Sequence, residues 1–147
     1  MILRHGDYLT IEVPDEWTAY EEDDIVTVYQ SEEGGALTMS FYRFNNGKEN
    51  TLDNLIHMAN RYIDDNDFDV LLPVSAFEDP DTQRFAVITD GILDDKEFLR
   101  CWYIASYPHV VWATYNCQKQ KNLVIKNEIS VCNSIISKLK FESPKKQ

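Results

Sequence analysis

The stretch of sequence that decides the fold is Tyr8-Leu9-Thr10-Ile11-Glu12-Val13-Pro14-Asp15-Glu16-Trp17. It starts by alternating polar and apolar side chains, which predicts a β-strand with one buried face. Pro14 cannot donate a hydrogen bond to a neighbouring strand, so it ends the strand, and the turn after it is expected to bury Trp17. The far end of the chain shows a helical pattern, because apolar residues recur there at intervals of three and four: Ile125, Ile129, Cys132, Ile136 and Leu139. The two ends indicate a fold and not a reaction.

The residues between the ends predict an antiparallel sheet and a second helix. An amphipathic helix is expected from Thr51, its N-cap, to about residue 65. Two long strands late in the chain are dense in aromatic and β-branched residues and are expected to be central. The predicted strands after the first are residues 25–30, 36–44, 84–89, 98–106 and 110–118, with one short strand within 70–77. Because strands follow one another as hairpins and the helices stand apart, the fold class is α+β, an antiparallel sheet of about six or seven strands flanked by two main helices.

The turns between these strands are marked by their composition. Glu21-Glu22-Asp23-Asp24 is the densest acidic run and is expected to be an exposed loop. Ser31-Glu32-Glu33-Gly34-Gly35 is expected to be a hairpin turn in which the glycines supply positive φ angles. Asp94-Asp95-Lys96 is expected to form another turn.

Charge is segregated along the chain. The net charge is −11, yet residues 1–97 hold 23 acidic and 6 basic residues, whereas residues 98–147 hold 2 acidic and 8 basic ones. This segregation is typical of a solvated acidic face together with a complementary basic helix. The functional alternative is an acidic surface that steers a basic protein partner. Nucleic acid is disfavoured, because phosphate binding needs a dense basic patch. With 147 residues, the chain is expected to form a single domain, 1–147, around one core, with a Lys-rich tail from about residue 143.

The N-terminal residues and the cysteines predict a cytoplasmic address. Residues 1–7 contain no apolar core of a secretory signal and no small-residue cleavage site. No apolar run approaches the roughly 18 residues of a membrane span. Cys101, Cys117 and Cys132 lack the spacing of metal ligands and are expected to be reduced core thiols, with a disulfide between Cys101 and Cys117 as the alternative.

No pattern for catalysis or metal binding is found, so no enzyme activity, metal or cofactor is expected. Asp65-x-Asp67-x-Asp69 begins like a calcium loop, but Val70 replaces the required glycine and Ala76 replaces the bidentate glutamate. The chain contains no Gly-x-Ser-x-Gly elbow and no phosphate loop. His109 and Cys117 form the only thiol–imidazole pair worth naming. The three histidines are far apart in the sequence: His5, His57 and His109.

The quoted features together resemble the PsbP-like α/β superfamily. The matching positions are Pro14 and Trp17 after the opening strand, the helix from Thr51, the late strands around Trp102 and Trp112, and the end segment from Ser137 to Phe141. The superfamily includes photosystem II extrinsic proteins, a Ran-binding nuclear import factor, bacterial DcrB-like proteins and chaperones of secreted effectors. The resemblance implies an α/β/α sandwich that docks onto other proteins without catalysing a reaction. None of the functional residues of those proteins is recognisable in this sequence.

The sequence and the resemblance favour a non-enzymatic cytoplasmic protein-binding module that acts as an adaptor or chaperone. One alternative is an immunity-type inhibitor that masks a basic toxin with its acidic half. Another is a small-ligand binder or minor enzyme with a pocket between sheet and helix. A homodimer is a further arrangement that the sequence leaves open.

Two sets of residues are expected to bind the partner. The first is the acidic run, because complementary charge raises the rate of association. The second consists of tyrosines that a sheet face only partly covered by helix would expose in a groove. The candidate binding residues are Glu21, Glu22, Asp23, Asp24, Tyr42, Tyr103, Tyr107 and Tyr115.

Overall fold

The computed structural model describes residues 1–142, which form ten β-strands, two α-helices and one 3-10 turn. The strands are β1 (Ile2–His5), β2 (Leu9–Glu12), β3 (Thr18–Glu22), β4 (Ile25–Tyr29), β5 (Ala36–Arg43), β6 (Asp69–Asp79), β7 (Arg84–Leu93), β8 (Glu97–Ser106), β9 (His109–Gln118) and β10 (Lys140–Phe141). The helices are α1 (Thr51–Asp65) and α2 (Asn122–Ser137), and the 3-10 turn is Lys48–Asn50. The predicted Lys-rich tail lies outside the described residues.

The strands form two antiparallel sheets. The large sheet has seven strands in the order β3-β4-β5-β9-β8-β7-β6, and the small one has the order β1-β2-β10. The predicted α+β class and the seven-stranded antiparallel sheet are confirmed, but the opening strand lies in the small sheet, and β3 takes its place in the large one. The central place of β8 and β9 is also confirmed, and these strands pair from Glu97↔Gln118 to Ser106↔His109. In the small sheet Leu9 of β2 pairs with His5 on one side and with Phe141 on the other. The opening stretch therefore joins the two ends of the described chain.

The large sheet separates two apolar cores, so the prediction of a single core is wrong. On one face, residues of β2, β4 and β5 pack with Cys132, Ile135 and Ile136 of α2. On the other face, Leu55 and Ala59 of α1 pack with alternate residues of β7, β8 and β9. A sheet with a helix on each face needs two apolar faces, so consecutive residues of its central strands are apolar. Such a continuous apolar run shows no alternation, and the sequence therefore does not reveal that its residues divide between two cores. Trp17 is buried as predicted, whereas Trp112 is half-buried.

Two segments contain more strand than the sequence predicts. Glu21 and Glu22 are the last residues of β3 and not part of a loop, because they pair with Val26 and Ile25 of β4. The short strand expected within 70–77 is the long edge strand β6, whose pairing with β7 shifts register on both sides of Leu72. Pro73 lies in this irregular edge, where the missing N–H costs no ladder hydrogen bond.

Local details also differ from the prediction. Gly34 and Gly35 lie outside the positive-φ region. Gly35 is instead needed for close packing, since a Cβ atom there would lie 2.6 Å from the Tyr115 ring. Thr51 does not cap α1, because its hydroxyl donates to the Lys48 carbonyl at 2.6 Å and the cap position is Asn50.

The three cysteines are free and buried. Cys101 belongs to the core under α1 and Cys117 to the core under α2, so the sheet separates the two thiols and excludes a disulfide between them. Within residues 1–142, neither helix has the length and apolar character that crossing a bilayer requires.

Candidate functional site

Half of one face of the large sheet is uncovered in the described part of the chain. Helix α1 packs over β6, β7 and β8, and no helix of residues 1–142 packs over β3, β4 and β5 on that face. We call this uncovered surface the open face. Its ten side chains are all half-buried or exposed: Thr18, Tyr20, Glu22, Ile25, Thr27, Tyr29, Ala36, Thr38, Ser40 and Tyr42. The side chains between them, such as Val28 and Leu37, point toward α2 and are fully buried.

The register of the strands makes the open face a surface rich in hydroxyl groups. Tyr20, Thr27 and Thr38 lie directly opposite one another across β3, β4 and β5, and Thr114 of β9 continues the row. Residues paired in this way share one face of the sheet, with Cβ atoms roughly 5 Å apart. Tyr20 and Tyr42 are 46% and 45% exposed. The ten side chains include one carboxylate, from Glu22, and no cation.

Four carboxylates lie at the tip of the hairpin formed by β3 and β4, at the border of the open face. We call Glu21, Glu22, Asp23 and Asp24 the acidic hairpin; all four are exposed, as predicted. Asp23 and Asp24 form the turn with φ angles of 53° and 61°, which aspartate tolerates better than most residues. Glu21 points away from the open face, and its Oε1 lies 2.5 Å from Nδ1 of His5.

A stack of rings connects the small sheet to the acidic hairpin. The His5 ring lies 3.6 Å from the Phe41 ring, and the Tyr8 ring lies 3.7 Å from the His109 ring, in both cases nearly parallel. Burial and the nearby Arg43 guanidinium lower the pKa of His109.

A shallow cleft lies beside these four rings, and Asp24 and Tyr42 both border it. Two of the residues predicted to bind a partner therefore lie together.

A second cleft, of about 370 Å³, lies where α1 meets the sheet next to the open face. We call it the aromatic cleft, lined by Tyr42, Met58, Tyr62, Tyr103 and Trp112. The Trp112 ring contacts Tyr62 edge-on at 5.5 Å between centroids and stacks on Tyr103 at 6.2 Å. Arg61 and Asp65 of α1 also border the cleft and form an ion pair at 3.6 Å. The sequence pattern indicated that α1 is amphipathic but not which of its side chains would meet the sheet at this edge.

The expectation that Tyr103 and Tyr115 are exposed is wrong. Tyr103 is 1% exposed because α1 covers its part of the sheet face. Tyr115 is fully buried on the opposite face, where its hydroxyl donates to Oε1 of Glu128 at 2.8 Å. Tyr107 is half-buried in the turn between β8 and β9. Of the four predicted tyrosines, Tyr42 alone is exposed, whereas the exposed Tyr20 is missed because no strand is predicted between the turn at Trp17 and the acidic run.

The described residues hold no arrangement of groups that indicates a reaction. His109 and Cys117 lie at opposite ends of β9, roughly 26 Å apart at the usual rise of a strand, so they cannot act as a pair. Burial raises the pKa of Cys101 to about 12, so that thiol stays protonated at neutral pH. Residues 1–142 contain no group of three or more side chains that could hold a metal ion. The absence of a bound metal remains a prediction.

The fold has counterparts among solved structures. CyanoP, the cyanobacterial PsbP of Synechocystis sp. PCC 6803, superposes with a TM-score of 0.62 at 9% identity, covering 90% of this chain and 86% of that one. LpqN, involved in cell envelope biogenesis of Mycobacterium tuberculosis, gives a TM-score of 0.61 at 11% identity, with 97% and 90% covered. A protein of Bacteroides thetaiotaomicron VPI-5482 gives 0.61 at 11% identity over 92% of this chain, which spans 45% of the length of that protein.

Sequence comparison adds nothing to this likeness, since no family model and no curated protein matches the chain. At identities of 9–11% the superpositions bear on the fold alone. They agree with the features that the resemblance rested on, namely the strand before Pro14, the buried Trp17 and the late central hairpin. The chain therefore has the PsbP-like fold.

Proposed function

We propose that the protein is a non-enzymatic binding module that holds a basic protein partner on the open face and the acidic hairpin. The observation that carries the proposal is the meeting of these two surfaces at Glu22, which belongs to both. The open face offers hydroxyl groups and two exposed tyrosines, a residue type enriched at binding hot spots. The acidic hairpin adds a negative field that raises the rate of encounter with a basic surface.

The charge of the hairpin favours a different protein as partner over a second copy of the chain. Strand β3 is the edge of the large sheet, and an edge strand is a template for pairing with another chain. Residues 18–22 contain no cation, so a second copy joined along β3 would bring no countercharge to the acidic hairpin from that strand. The net charge of −11 on each copy also opposes their association. A basic partner would instead neutralise the four carboxylates.

The roles of adaptor, chaperone and immunity-type inhibitor all fit this proposal, because each requires a protein-binding surface. A gene for a toxin beside the gene of this protein would favour the inhibitor, and a secretion locus would favour the chaperone. A cytoplasmic address is part of the proposal. It is supported by the three free thiols, which are typical of a reducing compartment.

The test compares two variants that have lost the same charge. The hairpin variant combines Glu21→Gln, Glu22→Gln, Asp23→Asn and Asp24→Asn, because asparagine tolerates the positive φ angles of the turn. The control variant neutralises four exposed carboxylates scattered elsewhere: Glu32→Gln, Glu49→Gln, Asp64→Asn and Glu78→Gln. Both are expected to keep the stability of the wild type within about 1 kcal/mol, because isolated surface charges contribute little.

The measurement is the amount of partner recovered with the tagged protein from its native cells at increasing salt. The wild type and the control variant are expected to recover the same basic partner, in amounts that fall with salt as the charges are screened. The hairpin variant is expected to recover at most a tenth of that amount, if the loss costs about 1.4 kcal/mol or more of binding free energy. Equal recovery by both variants would refute the role of the acidic hairpin.

A further inference from the structure

The aromatic cleft contains two buried polar atoms without a hydrogen-bond partner. These atoms are the hydroxyl of Tyr103 and the indole Nε1 of Trp112. Their polar neighbours are each other and the thiol of Cys101, which is only a weak hydrogen-bonding group. Trp112 pairs directly with Tyr103 across β8 and β9, so both atoms belong to one place at the base of the cleft. A buried polar group that is left unpaired costs about 1–3 kcal/mol. Two such groups side by side are unusual in a native protein and call for an explanation.

The chemistry of these two groups defines what would satisfy them. The indole N–H is a donor only, and the hydroxyl of Tyr103 is able to donate. Burial, together with the neighbouring Cys101 thiol, raises the pKa of Tyr103, so the hydroxyl keeps its proton at neutral pH. One carbonyl oxygen has two lone pairs and accepts from both donors at once.

The walls and the rim of the cleft define the rest of the ligand. Tyr62, Tyr103 and Trp112 offer ring faces and edges, which bind flat apolar groups best. The two charged residues at the rim, Arg61 and Asp65, have opposite signs and are paired with each other, so they favour neither an anion nor a cation. A charged group carried into the cleft would lose its hydration without a counterion. The volume of about 370 Å³ lies within the range of small-molecule sites.

We propose that the aromatic cleft binds a neutral, flat organic molecule whose carbonyl oxygen accepts hydrogen bonds from the Tyr103 hydroxyl and the Trp112 indole N–H. Both donor atoms are buried, so Tyr42, which is 45% exposed, and Met58 at the border of the cleft have to turn aside for the oxygen to reach them. Tyr42 borders both this cleft and the open face, but neither of the two donors belongs to the open face or the acidic hairpin, so the test with small molecules needs no protein partner.

The test uses 1-indanone as a neutral carbonyl probe, with indane as the matched hydrocarbon and indane-1-carboxylate as the charged analogue. The indole N–H resonance of Trp112, assigned with Trp112→Phe, reports contact with the donor in nuclear magnetic resonance spectra. We expect 1-indanone to shift this resonance saturably and to bind at least tenfold more tightly than either analogue, a difference of about 1.4 kcal/mol. The absence of a saturable shift up to roughly millimolar probe, a weak-binding limit, would overturn the proposal.

A pair of matched variants assigns the effect to the hydroxyl. Tyr103→Phe removes the hydroxyl and keeps the ring, and it is expected to weaken 1-indanone binding about tenfold while indane binding is unchanged. Tyr20→Phe, the same change on the open face, is expected to alter neither affinity. Equal affinity of the wild type for 1-indanone and indane would overturn the proposal even if Tyr103→Phe failed to fold, because it would show that the two donors recognise nothing.

Discussion

Glu128 joins three parts of the fold through one buried carboxylate. Its Oε1 atom accepts from the Gly35 backbone N–H at 2.7 Å and from the Tyr115 hydroxyl at 2.8 Å. Glu128→Ala leaves both donors unpaired and is expected to lower the free energy of unfolding by about 2–4 kcal/mol. Glu128→Gln keeps an acceptor oxygen and is expected to lose less than half as much. Urea denaturation measures both losses, and equal losses would contradict the role given to the carboxylate as acceptor.

His109 makes stability depend on pH in a defined direction. Burial, followed by the charge of Arg43, lowers the pKa of His109 in the folded protein. As pH falls through the ordinary histidine pKa of about 6.5, the unfolded chain gains a proton that the folded chain does not, so stability decreases. This contribution is fully present above that pKa. His109→Gln is therefore expected to reduce the fall in melting temperature between about pH 7.5 and pH 5. Parallel curves for variant and wild type would contradict the assignment.

At the level of elements, each helix covers its own core. Leu55 of α1 and Ile135 of α2 are buried on opposite faces of the large sheet. Leu55→Ala is expected to cost about 2–5 kcal/mol and Ile135→Val about 0.5–1.5 kcal/mol, the usual range for these deletions. Because the two side chains share no contacts, the double variant is expected to lose the sum of the two within about 0.5 kcal/mol. A larger deviation in urea denaturation would indicate that the two cores are one.

Elements whose apolar residues recur at a regular spacing were predictable from the sequence. Elements that depend on pairing with a neighbouring strand were not. Helix α1 and strands β8 and β9 match their predictions because their apolar spacing is regular. The end of β3 was missed because four consecutive acids indicate a loop by propensity, yet Glu21 and Glu22 gain their hydrogen bonds by pairing with β4. The length of β6 was hidden by Pro73, which only an irregular edge strand accommodates.

The candidate site was predictable only in part, because exposure depends on register and on which strands a helix covers. Tyr42 and Tyr103 lie on the same face of the sheet, but α1 covers one and leaves the other exposed. Tyr115 falls on the opposite face through the alternation of β9. A shift of one residue would exchange these positions, and the sequence does not fix that shift. The exposure of the acidic run was predictable because four adjacent carboxylates are costly to remove from water.

In the whole molecule, neither the charged residues nor the helices that cover the large sheet are evenly distributed. The open face, with Glu22 of the acidic hairpin, lies on the side of α1, whereas α2, which belongs to the basic part of the chain, covers the other side. Leu123 on α2 is 78% exposed and provides an apolar reference point on that opposite side. The account predicts that a protein partner contacts the first side and not the second.

The most direct measurement is photo-cross-linking in native cells with p-benzoylphenylalanine at single positions. Tyr20→p-benzoylphenylalanine and Tyr42→p-benzoylphenylalanine place the reactive group on the open face, and Leu123→p-benzoylphenylalanine places it on α2, all at exposed sites. We expect both open-face positions to cross-link to the same basic protein and the α2 position not to. Cross-links to that protein from α2 alone, or equally from all three positions, would contradict the open face as the binding site.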